Sequence, residues 1–504
     1  MYISSVSIEN FRAFKEKTVF HFNPGVTVLI GENDCGKSTV IDAIRYVLGT
    51  TDQSWQRVDL SDYYQENTDN EIHITVTFAN LTAKEKAAFL ECLTYTRDEE
   101  TLIINWSAKY MTNVKPHRTF VSINCGRNAD VAAPAAEARE LLRVTYLKPL
   151  RDAQAQMKSG RGSRLAQILS SIPELNLGER EYKEGIDITS LSLAGIFDLS
   201  NQLLAGHKVI KDVNQGISDI LNAELMLNND AVKTQITVSG DGNTDEKKIY
   251  SLLEKLDLNI QKDSVSNYGN VGLGTSNLMS MACEMLLNQD DNELSTFMLI
   301  EEPEAHIHAQ RQLKLIQSMQ KKGENQQVIL TTHSPLLASV VELNNLLLIQ
   351  NRKAFSMREG ETMLDSSDYK FLERYLDATK ANLFFAKGVI IVEGPGEALL
   401  LPTLAKLLNR NLTDYGISIV DVKSTGLRRY ARIFQRKEGD KINIPVSCIT
   451  DRDVMPECAP AICIDEKYED RDNWPKKNRK WKVESEIKDK EKYIQEIEKK
   501  ANGQ

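Results

Sequence analysis

Apolar residues recur at two spacings along this 504-residue chain, and the switches between them mark its organisation. Short runs rich in Val, Ile, Thr and aromatics predict strands over residues 2–8, 18–22, 26–30, 71–78, 101–108 and 119–124, with one helix over 38–48 among them. From about 135 the pattern turns helical. Residues 145–164 are basic and glycine-punctuated, and 165–228 read as long helical stretches inserted between two halves of one domain, a candidate association surface. A strand over 232–238, a helix over 245–256 and a turn-rich segment over 262–275 lead back to the first domain. A helix over 276–289, a strand over 296–300, a helix over 305–321 and a strand over 327–331 follow. After a connector at 351–382, strand 388–392, helix 396–409, strand 417–421, helix 426–435 and strand 445–450 set a βαβαβ rhythm, which predicts a small parallel sheet. From about 464 the chain carries Lys, Glu and Asp at helical spacing with few apolar anchors, and is expected to be an exposed or partly disordered helix.

Composition adds limits. With 41% hydrophobic and 26% charged residues the chain is of the soluble globular kind, long enough for two to four cores. No run approaches the roughly 18 apolar residues of a membrane span, and Met1-Tyr2-Ile3-Ser4 enters a strand-like alternation at once, so neither a signal peptide nor a membrane partner is expected. The seven cysteines are scattered, at spacings of neither a zinc site nor a disulfide framework. One of them, Cys35, sits in a phosphate-loop motif, which places the protein in a reducing cytoplasm. The net charge of −9 weighs weakly against nucleic acid, although local basic patches govern phosphate contact.

Residues 31–38 read Gly-Glu-Asn-Asp-Cys-Gly-Lys-Ser, directly after the run Val26–Ile30 and directly before a helical pattern. Gly31 and Gly36 let successive amides curl toward one anion, Lys37 adds a point charge on the outer phosphates, and Ser38 offers its hydroxyl to Mg²⁺. This pattern in this setting binds a nucleoside triphosphate such as ATP. A second apolar strand ends in Glu301-Glu302, which places two acids at its carboxyl end. Glu301 is suited to hold Mg²⁺ through water, and Glu302 to orient and deprotonate the water that attacks the γ-phosphate. His333, in Thr331-Thr332-His333-Ser334-Pro335, stands at the end of a third strand, within reach of the same phosphate. Gly272-Leu273-Gly274-Thr275-Ser276-Asn277 is a second glycine and hydroxyl turn that enters a helix.

Asn10-Phe11-Arg12, the phosphate loop, Gly274 and Ser276 with their neighbours, Ile300-Glu301-Glu302-Pro303-Glu304-Ala305-His306 and the Thr-Thr-His-Ser-Pro run together resemble the SMC-like branch of ABC ATPases. The resemblance implies two ATPase heads that sandwich ATP, with Ser276 reaching the partner's nucleotide and Arg12 near the base or phosphates. The implied nucleotide set is Arg12, Asn33, Gly36, Lys37, Ser38, Thr39, Gly274 and Ser276. The segment 165–228 is too short for a long coiled coil, so a compact relative is implied.

In the last domain, one buried strand ends on Glu393, with Glu397 one helical turn later, and another ends in Asp451-Arg452-Asp453. Strand ends in a parallel sheet lie side by side, so these four carboxylates are expected to converge and to need divalent cations, Mg²⁺ or Mn²⁺. Two such ions about 3.5–4 Å apart suit in-line displacement at a phosphodiester. Between them, Lys423–Arg432 is basic, fit for a DNA backbone or equally for plain solvation. The set resembles the Toprim domain of topoisomerases, primases and some nucleases.

An SMC-like ATPase followed by Toprim is similar to the OLD (overcoming lysogenization defect) family. That resemblance implies an α/β architecture: an ATPase N-terminal lobe at 1–164, a helical insertion at 165–228, a C-terminal lobe at 229–350, a connector at 351–382 and a Toprim domain at 383–504. It also implies ATP-binding, metal-dependent DNA endonucleases, dimeric or larger, several of them defending bacteria against phage, with a companion protein a further possibility. The catalytic set would be Glu302, His333, Glu393, Asp451 and Asp453, and the metal ligands Ser38, Glu301, Glu393, Glu397, Asp451 and Asp453. Only 51 residues follow Asp453, with no counterpart of the family's further acidic ligand and catalytic lysine, so an incomplete Toprim end is expected. The alternative function is a regulatory, DNA-sensing ATPase whose Toprim domain does not cut.

Overall fold

Val26, Thr27, Val28, Leu29 and Ile30 are buried without exception, as a run without alternation must be when a parallel sheet is covered on both faces. The computed structural model describes residues 1–51, 56–95, 100–112, 118–147, 160, 163–170, 172, 177–220, 236, 245–256, 258, 278–279, 281–283, 296–322, 326–423, 426–450, 491–492 and 495. The chain forms two compact units, residues 1–386 with 432–444, and residues 387–431 with 445–504.

The first unit opens with β1 (Tyr2–Glu9), β2 (Thr18–His21), β3 (Val26–Ile30) and helix α1 (Lys37–Leu48). Next come β4 (Ile72–Ala79), β5 (Leu93–Tyr95), β6 (Glu100–Met111), β7 (Arg118–Cys125), β8 (Val131–Ala132) and β9 (Val144–Leu147). After the helical segments lie β10 (Phe297–Glu301), β11 (Gln327–Thr331), β12 (Leu346–Gln350) and β13 (Lys353–Ser356). An antiparallel sheet runs β2-β1-β4-β6-β7-β8, with β5 beside β6, and a second sheet runs β13-β12-β3-β11-β10-β9. All neighbours in the second sheet are parallel except the hairpin partner β13. Helix α1 packs against strands of both sheets, and one apolar core joins them. Buried Gln327 ties them by polar contact as well: its amide accepts from the Ile3 N–H (2.7 Å) and donates to the Ile3 carbonyl (2.9 Å).

The structure departs from the sequence expectation at several elements. Residues 144–147 fall where the pattern from about 135 reads as helical, but form the edge strand beside β10, because four residues are too few to show a period and the pairing comes from the neighbour. The helix expected over 305–321 begins only at Ala309: Pro303 and the left-handed backbone at Glu302 and His306 delay it. The insertion holds helices Arg164–Ser170, Leu193–Gly206 and Lys208–Ile220. Of the strand expected over 232–238 only residue 236 is described, and the turn-rich 262–275 lies outside the described residues. The connector contains β13 and a helix, Ser366–Tyr375, whose N-terminus Asp365 caps through the Ser367 and Asp368 N–H groups. Residues 432–444 also belong to this unit, where Lys353 pairs with Asp440 at 2.8 Å and Gln350 exchanges two hydrogen bonds with the Asn443 backbone.

In the second unit β15 (Ile417–Asp421), β14 (Gly388–Val392) and β16 (Val446–Ile449) lie in that spatial order, all parallel. A helix, Pro395–Leu407, follows β14, with Pro395 at its first turn, where the missing N–H costs nothing.

Candidate functional site

Two positions in the phosphate loop require glycine. Gly31 has φ +145°, and a Cβ there would lie 2.3 Å from the Ile349 carbonyl oxygen. Gly36 has φ +109°, and a Cβ would meet Phe14 Cζ at 2.6 Å. Lys37 is buried, and its ammonium donates to the carbonyls of Gly31 (2.9 Å) and Glu32 (2.7 Å). Burial lowers the pKa of this ammonium, while Cys35, Glu302 and Asp34 oppose the shift. Thr39 is buried just behind it, whereas Asn33 and Ser38 are exposed.

The strand order puts β11 between β3 and β10, so the carboxyl ends of all three open on one edge. Glu301 closes β10, and its carboxylate accepts a 2.8 Å hydrogen bond from the hydroxyl of Tyr146 on β9, with the Ser38 hydroxyl close by. Burial raises the Glu301 pKa and these two hydroxyls oppose the rise. A phosphate-loop hydroxyl against a buried carboxylate is the oxygen donor set that a hard divalent cation takes, so Ser38 and Glu301 fit one.

Glu302 leaves the strand with φ +45°, its N–H donating to the Thr331 carbonyl at 3.1 Å. Its carboxylate stays half-exposed, 3.5 Å from His333 Nε2. Burial lowers the His333 pKa, Lys37 lowers it further, and Glu302 and Asp34 act against them, so the imidazole is neutral near pH 7. Glu304, unassigned from the sequence, positions this histidine: its Oε1 accepts from the Thr332 hydroxyl (2.7 Å) and the His333 N–H (2.8 Å). Burial raises its pKa also, and its Oε2 has no partner among the described residues.

Arg12 lies within a tight turn closed by the backbone hydrogen bonds that Phe11 and Phe14 exchange, and it too has positive φ. Its guanidinium pairs with Asp62 at 2.7 Å and with Asp42 of α1. Burial works against that charge, but the two carboxylates outweigh it and raise the pKa. Asp42 also holds Arg45, whose guanidinium lies 3.7 Å over the Tyr146 ring. Arg12, Asp42, Arg45, Tyr146 and Glu301 thus form one chain of contacts. The spacing of Asp42 and Arg45 on α1 was legible; their distant partners were not. Gly274 and Ser276 lie outside the described residues.

In the second unit β14 pairs with β16 so that Val392 stands opposite Ile449. Glu393 and Thr450 come next, and the Thr450 hydroxyl donates to the Glu393 carboxylate at 2.5 Å. Glu397, expected among the metal ligands, turns back to accept from the Gly394 N–H at 3.1 Å and caps its helix. Asp451 and Asp453 lie outside the described residues, and among the described residues no group of three or more His, Cys, Asp or Glu side chains gathers for a metal. Nor, among them, is any helix long and apolar enough to cross a membrane.

The chain matches the AAA ATPase domain family over residues 1–127 and 145–338, well over half its length. Residues 384–453 match the family described as Overcoming lysogenization defect protein-like, TOPRIM domain. The chain is 24% identical over 472 residues to Endonuclease GajA of Bacillus cereus (strain VD045), covering 85% of this chain and 72% of that protein. It is 24% identical over 479 residues to the OLD nuclease of Thermus scotoductus, covering 90% of this chain and 82% of that one. Retron Ec83 probable ATPase of Escherichia coli is 23% identical over 403 residues, covering 71% of this chain and 73% of the other.

Proposed function

Because this chain belongs to the AAA ATPase domain family and, with its OLD-like Toprim domain, to the OLD-family nucleases, we propose that it is an ATP-controlled, metal-dependent DNA endonuclease of phage defence. The observation that carries the ATPase half is the meeting of Lys37, Ser38, Glu301, Glu302 and His333 at one edge of the parallel sheet. Lys37 and the loop amides hold the β- and γ-phosphates. Glu302, half-exposed beside the His333 imidazole, orients the attacking water and takes its proton. His333 is positioned by Glu304 to donate a hydrogen bond to the γ-phosphate. Ser38 and Glu301 would hold a divalent ion, which would supply charge neutralisation on the phosphates.

In the second unit the Thr450–Glu393 contact supports a nuclease site, since it brings the ends of β14 and β16 together one residue before Asp451. Glu393, Asp451 and Asp453 would hold Mg²⁺ or Mn²⁺ for that chemistry, while Glu397 serves the helix terminus. Two copies pair so that Gly274 and Ser276 of each reach the other's nucleotide, in the cytoplasm and with room for a companion protein.

Two assays test this reading. Lys37→Ala abolishes ATP binding at the phosphate loop, and Glu302→Gln binds ATP but turns it over at least about a hundredfold more slowly. Equal turnover by wild type and Glu302→Gln removes the role given to that acid. Supercoiled plasmid with Mg²⁺ or Mn²⁺ is nicked by wild type and not by Asp451→Ala. If neither nicks, the protein is the regulatory ATPase instead.

A further inference from the structure

We propose that an arginine-lined cavity in the first unit, separate from the phosphate loop, binds a second ligand: a phosphate-bearing nucleobase compound, either a free nucleotide or a nucleic-acid strand. The cavity has a volume of about 820 Å³ and sits at the far end of α1, where Arg45, Tyr46 and Gly49 line it. Arg45, the lining residue of α1 nearest the phosphate loop, is eight residues from Lys37, which at about 1.5 Å each puts roughly 12 Å of helix between them.

Its walls come from segments far apart in sequence: Arg57 after α1, Arg118 on β7, and Arg139 and Arg143 before β9. Asp59 is the single acid among the lining residues, in a chain whose net charge is −9. Two of the five arginines are already engaged, Arg45 with Asp42 and Arg143 with Glu140. Arg57, Arg118 and Arg139 are exposed and make no ion pair among the described residues. Like charges gathered around an opening repel one another unless an anion joins them, and guanidinium forks match phosphate oxygens in pairs.

Apolar and aromatic residues share the rest of the lining with Thr50, Gln56 and Thr119. Tyr46 and Trp106 pack edge to face, with centroids 5.6 Å apart, and Leu60 and Val121 are exposed at the opening. Trp106 is itself buried, so a flat base lies on the exposed Leu60 and Val121 and the accessible part of Tyr46 while its phosphate reaches the arginines, the division of labour found where proteins hold single strands. The volume falls within the range of small-molecule sites, large enough for one nucleotide.

The test uses the full-length protein with two probes, a fluorescein-labelled single-stranded oligonucleotide and ATP. The ATP arm is run in Lys37→Ala, so that the phosphate loop does not contribute. The variants are R118E/R139E and the milder R118Q/R139Q, both on exposed positions and checked by thermal unfolding midpoint. If the ligand is a strand, R118E/R139E weakens oligonucleotide binding at least about tenfold, and the slope of log affinity against log salt becomes shallower by about one. If it is a free nucleotide, Lys37→Ala retains a weaker ATP site that disappears when R118Q/R139Q is added. Oligonucleotide binding unchanged in both variants, together with no ATP binding by Lys37→Ala, overturns the proposal.

Discussion

The Tyr146 hydroxyl donates a 2.8 Å hydrogen bond to Oε1 of Glu301 across 155 residues of sequence. It is one of two hydroxyl contacts that hold down the pKa of a carboxylate which burial pushes up. Tyr146→Phe removes the donor and keeps the ring beneath Arg45. It is expected to cost about 1–3 kcal/mol by leaving a buried acceptor unsatisfied, and to raise the Glu301 pKa further. Denaturant midpoints measure the first effect. The second appears as a several-fold higher Mg²⁺ concentration at half-maximal ATP turnover.

His333 sets an acid limit on turnover. Its pKa lies below the ordinary value near 6.5 because of burial and Lys37, so the imidazole becomes predominantly protonated only below that pH, adding a second cation beside the ammonium. ATP turnover is expected to fall as pH drops from about 6.5, and in His333→Gln this limb should vanish while a lower plateau remains. A pH–rate profile of the two proteins decides it.

Glu304 offers a separate handle on the same histidine. Glu304→Ala leaves the Thr332 hydroxyl and the His333 N–H without their acceptor, at a cost of about 1–3 kcal/mol for each buried group. Turnover should fall while ATP affinity, set by the phosphate loop, holds within about threefold. Calorimetric titration with ATP beside a turnover assay separates the two.

Gly36→Ala tests the loop geometry. The substitution forces a Cβ to within 2.6 Å of the Phe14 ring at a φ that L-residues avoid, for a strain of about 1–3 kcal/mol. ATP binding should weaken tenfold or more, read by the same titration.

Arg12 and Asp62 form the fourth testable pair. Asp62 is buried and Arg12 about one-third exposed, so Arg12→Met should cost about 1–3 kcal/mol, less than a fully enclosed pair would. Adding Asp62→Asn should cost less than the sum of the two single changes, which a double-mutant cycle by chemical denaturation checks.

Much of this was readable along the chain because its cause is local. The predominantly apolar runs at 26–30, 327–331 and 388–392 emerge as strands with those bounds, since burial on both faces leaves few polar positions to confuse the period. The loop at 31–38 carries its own turn chemistry in Gly31 and Gly36. The acids Glu301, Glu302 and Glu393 stand at strand ends simply because the apolar residues stop there.

Folding alone supplied the rest, for a reason equally plain: pairing between distant strands leaves no periodic trace in either one. Val144–Leu147 is a strand only because β10 lies beside it, and that pairing is what delivers Tyr146 to Glu301. The insertion of β11 between β3 and β10 gives His333 its place between Lys37 and Glu302. The turn of Glu397 onto its own helix end, and the gathering of Arg57, Arg118 and Arg139 around one opening, likewise exist only once the backbone has closed on itself.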